Sequence, residues 1–484
     1  MLLLPFAFKK VKSGHILVVN QGGEYLFLNR GEFDSLLNAD RKPLPDNLMK
    51  VFKSKQLIAT DDKELALNLL AAKLRTRKSF IRDFTSLHMM VLTTRCNCVC
   101  DYCHASSSDA QAQNSDMAWP VAKAAVDVIF QSPSTDIKIE FQGGEPLLNW
   151  DVLQNTVLYA EELNKANAGR CSGFVVCTNL MNIDEDKLQF CKEHQIEIST
   201  SLDGPRSLHD LHRKARNGCS SYDLFMQKLE KTRSMLGPDS CNALLTITKD
   251  HLPRLRETID EYRKHGFNNV FLRAINPYGY AVENKELVGY PIEEFITAYK
   301  DALEYIISLN KMGEVFVESY AALLLQRILT PYPTGFVDLQ SPAGAGISGV
   351  IYDYNGDVYP ADEGRMLARM GDRRFLMGNV LHDSYDALFN GKLIHELVRD
   401  SCVEVMPACA TCVYQIYCGA DPIRYYVECG DITGRRPESG FCKKNMAIFD
   451  YLFELLENAD DKTIDIFWSW ATRRGLKEIR LEDN

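Results

Sequence analysis

No stretch of the chain approaches the eighteen or so consecutive apolar residues that a membrane span requires, so no bilayer-crossing helix is expected. The apolar opening Met1-Leu2-Leu3-Leu4-Pro5-Phe6 has no basic segment before it. It stops at Lys9-Lys10 and has no small-residue cleavage site after it, so a cytoplasmic protein is expected. Positive charge is in deficit. Against 65 Asp and Glu there are 55 Lys and Arg, a formal net charge of −10, which argues against a phosphate-binding surface over most of the molecule and against nucleic acid as a partner. Internal repeats and low-complexity tracts are also lacking.

Cysteine, by contrast, is plentiful. Fifteen cysteines in 484 residues would suit a disulfide scaffold in a small secreted domain, but in a large chain without a secretory signal they read better as metal ligands. A hydrophobic content of 46% and a charged content of 25% are those of a globular protein, and the length allows several domains.

The pattern divides the chain. Alternating runs at Ile16–Val19 and Tyr25–Leu28, then helical patterns at Glu32–Leu37, Asp46–Ser54 and Asp62–Leu74, predict a small hairpin-plus-three-helix domain over residues 1–80. Arg75 to Ser86 is basic and reads as a plain solvated helix or as a linker that lies against the next domain. Over residues 87–330 strands alternate with helices. The strands are expected at Met89–Thr93, Ile137–Phe141, Phe174–Thr178, Glu197–Leu202, Ala243–Thr248 and Val270–Ile275. Six such units imply an α/β fold with a parallel sheet curled into a full or partial barrel, its site at the carboxyl ends of the strands. A hairpin around Asn355-Gly356 opens a small third domain over residues 340–450, and residues 451–484 read as a helical tail.

Cys96, Cys100 and Cys103 follow the first barrel strand directly. Three thiolates can hold three irons of a [4Fe–4S] cluster and leave the fourth open to a small molecule. The C-x3-C-x2-C motif, with Tyr102 before its last cysteine, resembles the radical S-adenosylmethionine superfamily. That resemblance implies a partial (β/α)6 barrel, a [4Fe–4S] cluster, S-adenosyl-L-methionine and a 5′-deoxyadenosyl radical that abstracts hydrogen. Zinc or buried thiols are the bland alternative, and Cys98 is expected to be a bystander.

Gly143-Gly144-Glu145-Pro146 resembles the family's GGEP motif, which implies binding of the methionyl amine. Thr178-Asn179 ends the third strand. The stretch Ser201 to Ser220, with Pro205, His209-Asp210, Arg213 and Gly218, resembles anaerobic sulfatase-maturating enzymes, which implies contacts from Ser201 and Arg213 to S-adenosylmethionine. The expected cofactor-binding residues are thus Tyr102, Gly143, Gly144, Glu145, Asn179, Ser201 and Arg213.

Cys409, Cys412, Cys418 and the downstream Cys442 can close either a cluster or a zinc site. Their spacing resembles the SPASM extension, which in full form carries two auxiliary [4Fe–4S] clusters. Ala343, Ala361 and Pro422 stand where one of those clusters would take cysteines, so the resemblance implies a single auxiliary cluster on the other four. Cys402 and Cys429 do not fit the spacing, and Cys171, Cys177, Cys191, Cys219 and Cys241 read as buried structural thiols. Asp362 falls where sulfatase-maturating relatives carry a catalytic acidic residue, which implies a base there; a surface charge at a hairpin exit is the alternative.

The N-terminal pattern resembles the winged-helix-like peptide-recognition element of ribosomal peptide maturation systems, which binds a leader as an added strand. A purely structural winged helix would look the same. The whole layout most resembles the maturases of the His-Xaa-Ser repeat peptide system. A precursor peptide, an electron donor such as flavodoxin or ferredoxin, and other maturation proteins are the implied partners. The alternatives are a sulfatase-maturase-like Cys or Ser oxidase and a non-catalytic iron–sulfur or zinc scaffold that binds peptides.

Overall fold

The computed structural model describes residues 1–60, 62–82, 84–166 and 170–479, with the side chains of Ala166 and Cys171 outside that set. At the N-terminus three antiparallel strands, β1 (Phe6–Lys10), β2 (Ile16–Asn20) and β3 (Tyr25–Leu28), form a sheet in the order β1-β2-β3. Helices Arg30–Leu37, Asp46–Ser54 and Lys63–Arg77 follow. The middle strand is fully buried, with Val18 against Phe33, Leu36 and Phe52. The outer strand β1 is an addition to the two-strand hairpin expected from sequence.

The central sheet has nine strands. In chain order these are β4 (Leu87–Thr93), β6 (Asp136–Gly143), β7 (Cys171–Cys177), β8 (Glu197–Ser201), β10 (Cys241–Ile247), β11 (Leu272–Ala274), β12 (Gly349–Tyr352), β13 (Asp357–Tyr359) and β14 (Gly378–Asn379). Their spatial order is β11-β10-β8-β7-β6-β4-β12-β13-β14, and the first six are parallel neighbours. Two short strands outside this sheet, β5 (Cys98–Cys100) and β9 (Arg213–Ala215), pair with each other.

Side chains alternate across the pleat. On β6, Ile137, Ile139 and Phe141 are buried against the helices, while Glu140 and Gln142 take the concave face. On β10, Ala243, Leu245 and Ile247 are buried, and Leu244 and Thr246 face the other way. Helices Trp119–Ile129 and Trp150–Ala166 cover the convex face through Val126, Ile129, Leu153 and Val157. Each such side chain contributes about 1.5–3 kcal/mol of burial. The concave face is polar enough to be a lumen.

The hairpin at Asn355-Gly356 forms as expected, but it does not stand apart. Its first strand, β12, pairs in parallel with β4, with Met89 opposite Ile351, so the barrel sheet runs on into the C-terminal segment. His88 and Tyr352, 264 residues apart, share a 3.1 Å hydrogen bond across this seam. The tail folds as helices Gly440–Glu457 and Asp461–Thr472, packed on helices Ile292–Lys311 and Ser319–Leu329. No helix among the described residues is long and apolar enough to cross a membrane.

The basic stretch after Leu74 is not a plain solvated helix but packs against the rest of the chain. Arg77, the last residue of its helix, is only 6% exposed and donates to the carbonyls of Gly22 (3.0 Å) and Arg327 (2.8 Å). Arg327 in turn donates to Tyr417 O at 2.5 Å, and the Tyr417 hydroxyl donates to Gly23 O at 2.9 Å. N-terminal sheet, barrel helix and cysteine-rich segment are thereby tied at one point.

Candidate radical-chemistry site

The loop after β4 is fixed from two sides. On one side Cys98–Cys100 pairs antiparallel with Arg213–Ala215, Arg213 lying opposite Cys100. Arg216 extends the grip, donating from Nε to Cys96 O at 2.9 Å and from Nη1 to Asp109 at 2.9 Å. On the other side Tyr280 N donates to Cys103 O at 2.9 Å. Gly279 permits that approach: its φ is +55°, and a Cβ there would lie 2.5 Å from Cys103 O. Cys96 is buried and Cys100 and Cys103 are half-buried. Burial pushes the Cys100 thiol up, opposed by the Arg213 guanidinium.

Tyr102 is buried beneath this loop. Its hydroxyl donates to Asp203, itself fully buried, and accepts from Arg213 Nη1 at 2.9 Å. Ser201 ends β8 in register with Leu244. Asn179 reaches the loop directly, with Nδ2 2.6 Å from Asn97 Oδ1 and 4.0 Å from Cys96 Sγ. The Cys98 thiol lies 3.4 Å from Met181 Sδ and 3.6 Å from the same Asn179 Nδ2.

Gly143 and Gly144 have a different immediate task from the one expected. A Cβ on Gly143 would lie 2.1 Å from Thr93 O, and one on Gly144 would lie 2.1 Å from Arg95 O. The pair lets the β6 exit press against the segment leading into Cys96. Glu145 is likewise committed to the protein. It is fully buried and accepts from Thr178 Oγ1 (2.7 Å), Asn179 N (2.9 Å) and Leu147 N (3.1 Å). Burial raises its pKa, and the Thr178 and Asn179 bonds oppose that shift.

Cys409, Cys412, Cys418 and Cys442 line one cavity of about 330 Å³. Arg436 Nη1 lies 3.6 Å from Cys409 Sγ, and Asn445 Nδ2 lies 3.8 Å from Cys418 Sγ; donors of this kind tune a bound cluster. Among the described residues no three His, Cys, Asp or Glu side chains converge closely enough to hold a single ion. A multi-iron cluster needs no such convergence, because each thiolate binds a different iron. The four-thiol cavity and the anchored three-thiol loop both fit that chemistry.

Of the remaining cysteines, Cys191 and Cys241 are buried as expected, whereas Cys219 is exposed in the turn before helix Ser221–Leu236. Cys177, read from sequence as a structural thiol, shares the lumen face with Ser199 and lies beside Glu140. The side chain of Cys171 lies outside the described residues. Ala343 and Ala361 are buried in apolar packing, and Pro422 opens helix Pro422–Cys429.

A second cavity, of about 350 Å³, opens at the carboxyl ends of the strands and is lined by Gln142, Leu244, Arg273 and Asp362 among others. Asp362 begins helix Asp362–Arg369. Its Oδ1 has no hydrogen-bond partner, and Arg365 Nη1 stands 3.6 Å from it. Burial raises the Asp362 pKa, with Arg365 and Arg273 pulling it down. Arg365 is 1% exposed and bonds Asp353 at 3.2 Å. At the far end of the helix Arg369 donates to Ser106 O at 3.4 Å, so the helix bridges this cavity and the cysteine loop. Asp203, Arg216, Arg365 and the charged lining of the cavity were not singled out from sequence as functional, because their partners come from distant strands.

Residues 90–290 match the model of the Radical SAM superfamily. A cysteine-type anaerobic sulfatase-maturating enzyme of Clostridium perfringens (strain 13 / Type A) is 23% identical over 77% of this chain and 97% of its own length. Among solved structures, native anSMEcpe with bound AdoMet superposes with a TM-score of 0.62 at 19% identity, covering 77% of this chain and 98% of that one. Streptococcus suis SuiB bound to the precursor peptide SuiA gives 0.53 at 14% identity, covering 91% and 100%. The anchored three-cysteine loop at the mouth of the parallel barrel thus lies within the segment, residues 90–290, that matches the radical SAM superfamily, whose chemistry uses a [4Fe–4S] cluster and S-adenosylmethionine.

Proposed function

We propose that this protein post-translationally modifies a ribosomally synthesised peptide by hydrogen abstraction, in the manner of the His-Xaa-Ser-system maturases. The observation that carries the reading is the helix Asp362–Arg369, which joins a lumen carboxylate, paired with Arg365 but with one oxygen free of hydrogen bonds, to the three-cysteine loop. When bound, the cluster and S-adenosylmethionine supply a carbon-centred radical beside that cavity.

The chain's own residues do the rest. Cys96, Cys100 and Cys103 hold the first cluster, and Cys409, Cys412, Cys418 and Cys442 hold the auxiliary one. Arg213, Tyr102 and Asp203 keep the loop in one geometry. Because Glu145 is spent on protein donors, main-chain carbonyls of Gly143-Gly144 and the side chains of Asn179 and Ser201 are the groups left to meet S-adenosylmethionine. Asp362, with its pKa raised, takes a proton from the substrate.

The outer strand β1 and a cavity of about 390 Å³ between Phe6, Phe8 and Cys412 support a peptide docking as an added strand. SuiB, with its precursor peptide bound, is the neighbour that makes this reading natural. An electron donor of the flavodoxin or ferredoxin kind and further maturation proteins complete the system. A sulfatase-maturase-like oxidation of Cys or Ser is the second reading, favoured by the alignment with the Clostridium perfringens enzyme over nearly all of its length.

Anaerobic reconstitution followed by iron, sulfide and 5′-deoxyadenosine analysis tests the proposal. About eight irons per chain, with 5′-deoxyadenosine formed from S-adenosylmethionine and dithionite, is the expected result. Cys100→Ala abolishes cleavage on this reading, and unchanged cleavage in that variant overturns it. Zinc in place of iron, with no cleavage, would make the protein a peptide-binding scaffold.

A further inference from the structure

A cavity of about 650 Å³ lies at the amino ends of the strands, the opposite end of the sheet from the cysteine loop, and no role assigned above uses it. One side is Asn242, at the start of β10, with Asn269 and Val317, which open the parallel pair Asn269–Val270 and Val317–Glu318. The other side is the end of helix Asp461–Thr472 and the turn that follows it. Among the described residues its wall holds two charged side chains, Arg473 and Arg474, and no carboxylate. Both arginines are exposed, and among the described residues neither guanidinium makes an ion pair or a hydrogen bond. Cations at a helix carboxyl end commonly serve the helix by meeting its last carbonyls. Here two hydroxyls do that work: Thr472 Oγ1 donates to Trp468 O at 2.7 Å, and Ser469 Oγ donates to Arg474 O at 2.6 Å.

A second observation, from the buried side of the same cavity, points the same way. Trp470 lines the cavity and is 4% exposed, and its Nε1 is buried with no hydrogen-bond partner. An indole N–H is a donor only, and a buried one normally finds an acceptor. The amide oxygens of the facing wall are already engaged: Asn268 Oδ1 accepts from Asn269 Nδ2 at 2.8 Å, and Asn269 Oδ1 accepts from Ser319 Oγ at 3.4 Å. Val317, Ala322 and Leu323 make the rest of the inner wall apolar. The cavity thus offers donors and positive charge beside an apolar surface, and it lacks the acceptor that would complete them.

We propose that this cavity binds an organic anion, a carboxylate or phosphate ester on an apolar or aromatic body, with Arg473 and Arg474 as its counter-ions and Trp470 Nε1 as a buried donor to one of its oxygens. Either headgroup suits a guanidinium, because both present paired oxygens to the planar fork. The volume is that of a small-molecule site rather than of a single inorganic ion. The body of the ligand packs on Val317, Ala322 and Leu323. The inference is independent of the peptide-modifying reading, since no residue of this cavity belongs to the cysteine loop or to the lumen.

The test uses full-length reconstituted holoenzyme labelled with 15N-tryptophan and four probes: 2-naphthoate, 2-naphthyl phosphate, the neutral 2-naphthamide and inorganic phosphate. Affinities are measured calorimetrically, and the indole N–H signal of Trp470, identified by its disappearance in Trp470→Phe, is followed in the same titrations. At least one naphthyl anion is expected to bind tenfold or more tighter than both 2-naphthamide and inorganic phosphate, and to move the Trp470 signal as the indole gains an acceptor. The tighter of the two anions tells carboxylate from phosphate ester. Arg473→Gln with Arg474→Gln, two exposed positions, is expected to bring the preference for the anion over 2-naphthamide below threefold at an unchanged melting temperature. Equal binding of the anions and 2-naphthamide, inorganic phosphate binding as tightly as the naphthyl anions, no binding by any probe, a Trp470 signal unmoved at saturation, or a preference that survives the double arginine variant overturns the inference.

Discussion

Glu145 accepts three hydrogen bonds from groups on two different loops, and none of its neighbours is a cation within ion-pair distance among the described residues. Glu145→Gln keeps the shape but turns an N–H toward a donor. The expected cost is about 1–3 kcal/mol, read as a lower melting temperature, with S-adenosylmethionine affinity changed less than stability. A large loss of affinity at unchanged stability would assign the carboxylate to the ligand after all. The motif containing it was legible from sequence, but its internal use was not. Thr93 O and Arg95 O, which force glycine at 143 and 144, belong to the end of a strand some fifty residues earlier and to the loop after it, and no local pattern announces such an approach. Cys219 was misread for a related reason: an apolar residue type gives no sign of a turn when Asn217 and Gly218 are what shape it.

Elements that bury one full face were read with little error. Helix Asp46–Ser54 agrees with its expected bounds, and the strand expected at Ile137–Phe141 extends only to Asp136–Gly143. What escaped were elements too short to have a period. Cys98–Cys100 and Arg213–Ala215 are three residues each and exist only because each supplies the other's hydrogen bonds. That ladder, continued by Arg216, fixes the carbonyls around Cys96. Arg216→Ala removes three donors from the loop, and the expected result is loss of about four irons per chain on desalting after reconstitution, the auxiliary cluster being retained. Iron content equal to that of the unaltered protein would mean that the thiols hold the loop unaided. The partner of the Asn355-Gly356 hairpin was likewise invisible, because β12 meets β4 far away in sequence.

Across the whole molecule, buried neutral histidines set the acid limit. Burial depresses His88 to about 3 and His209 to about 4. His88 Nε2 must carry the proton, since Thr85 O at 3.1 Å can only accept. Both side chains take up a proton on unfolding near the ordinary value of about 6.5. Their contribution is therefore complete above that value and is lost as pH falls toward 3–4. The urea midpoint is expected to drop between pH 7.5 and 5, and a pH-independent midpoint over that range would contradict this assignment. Arg77 plays a similar part in joining the N-terminal sheet to the rest: Arg77→Ala leaves the carbonyls of Gly22 and Arg327 without their donor and is expected to cost about 2–4 kcal/mol, measured by denaturant unfolding. The pairing of β4 with β12 has one more consequence, in time rather than space. The ribosome emits about 5–20 residues per second, so the β4 edge waits on the order of tens of seconds for a strand that lies 264 residues downstream at the His88–Tyr352 contact. Throughout that interval a flat, apolar strand edge stands open on the nascent chain, and a chaperone or a slow stretch of translation is the natural guard for it.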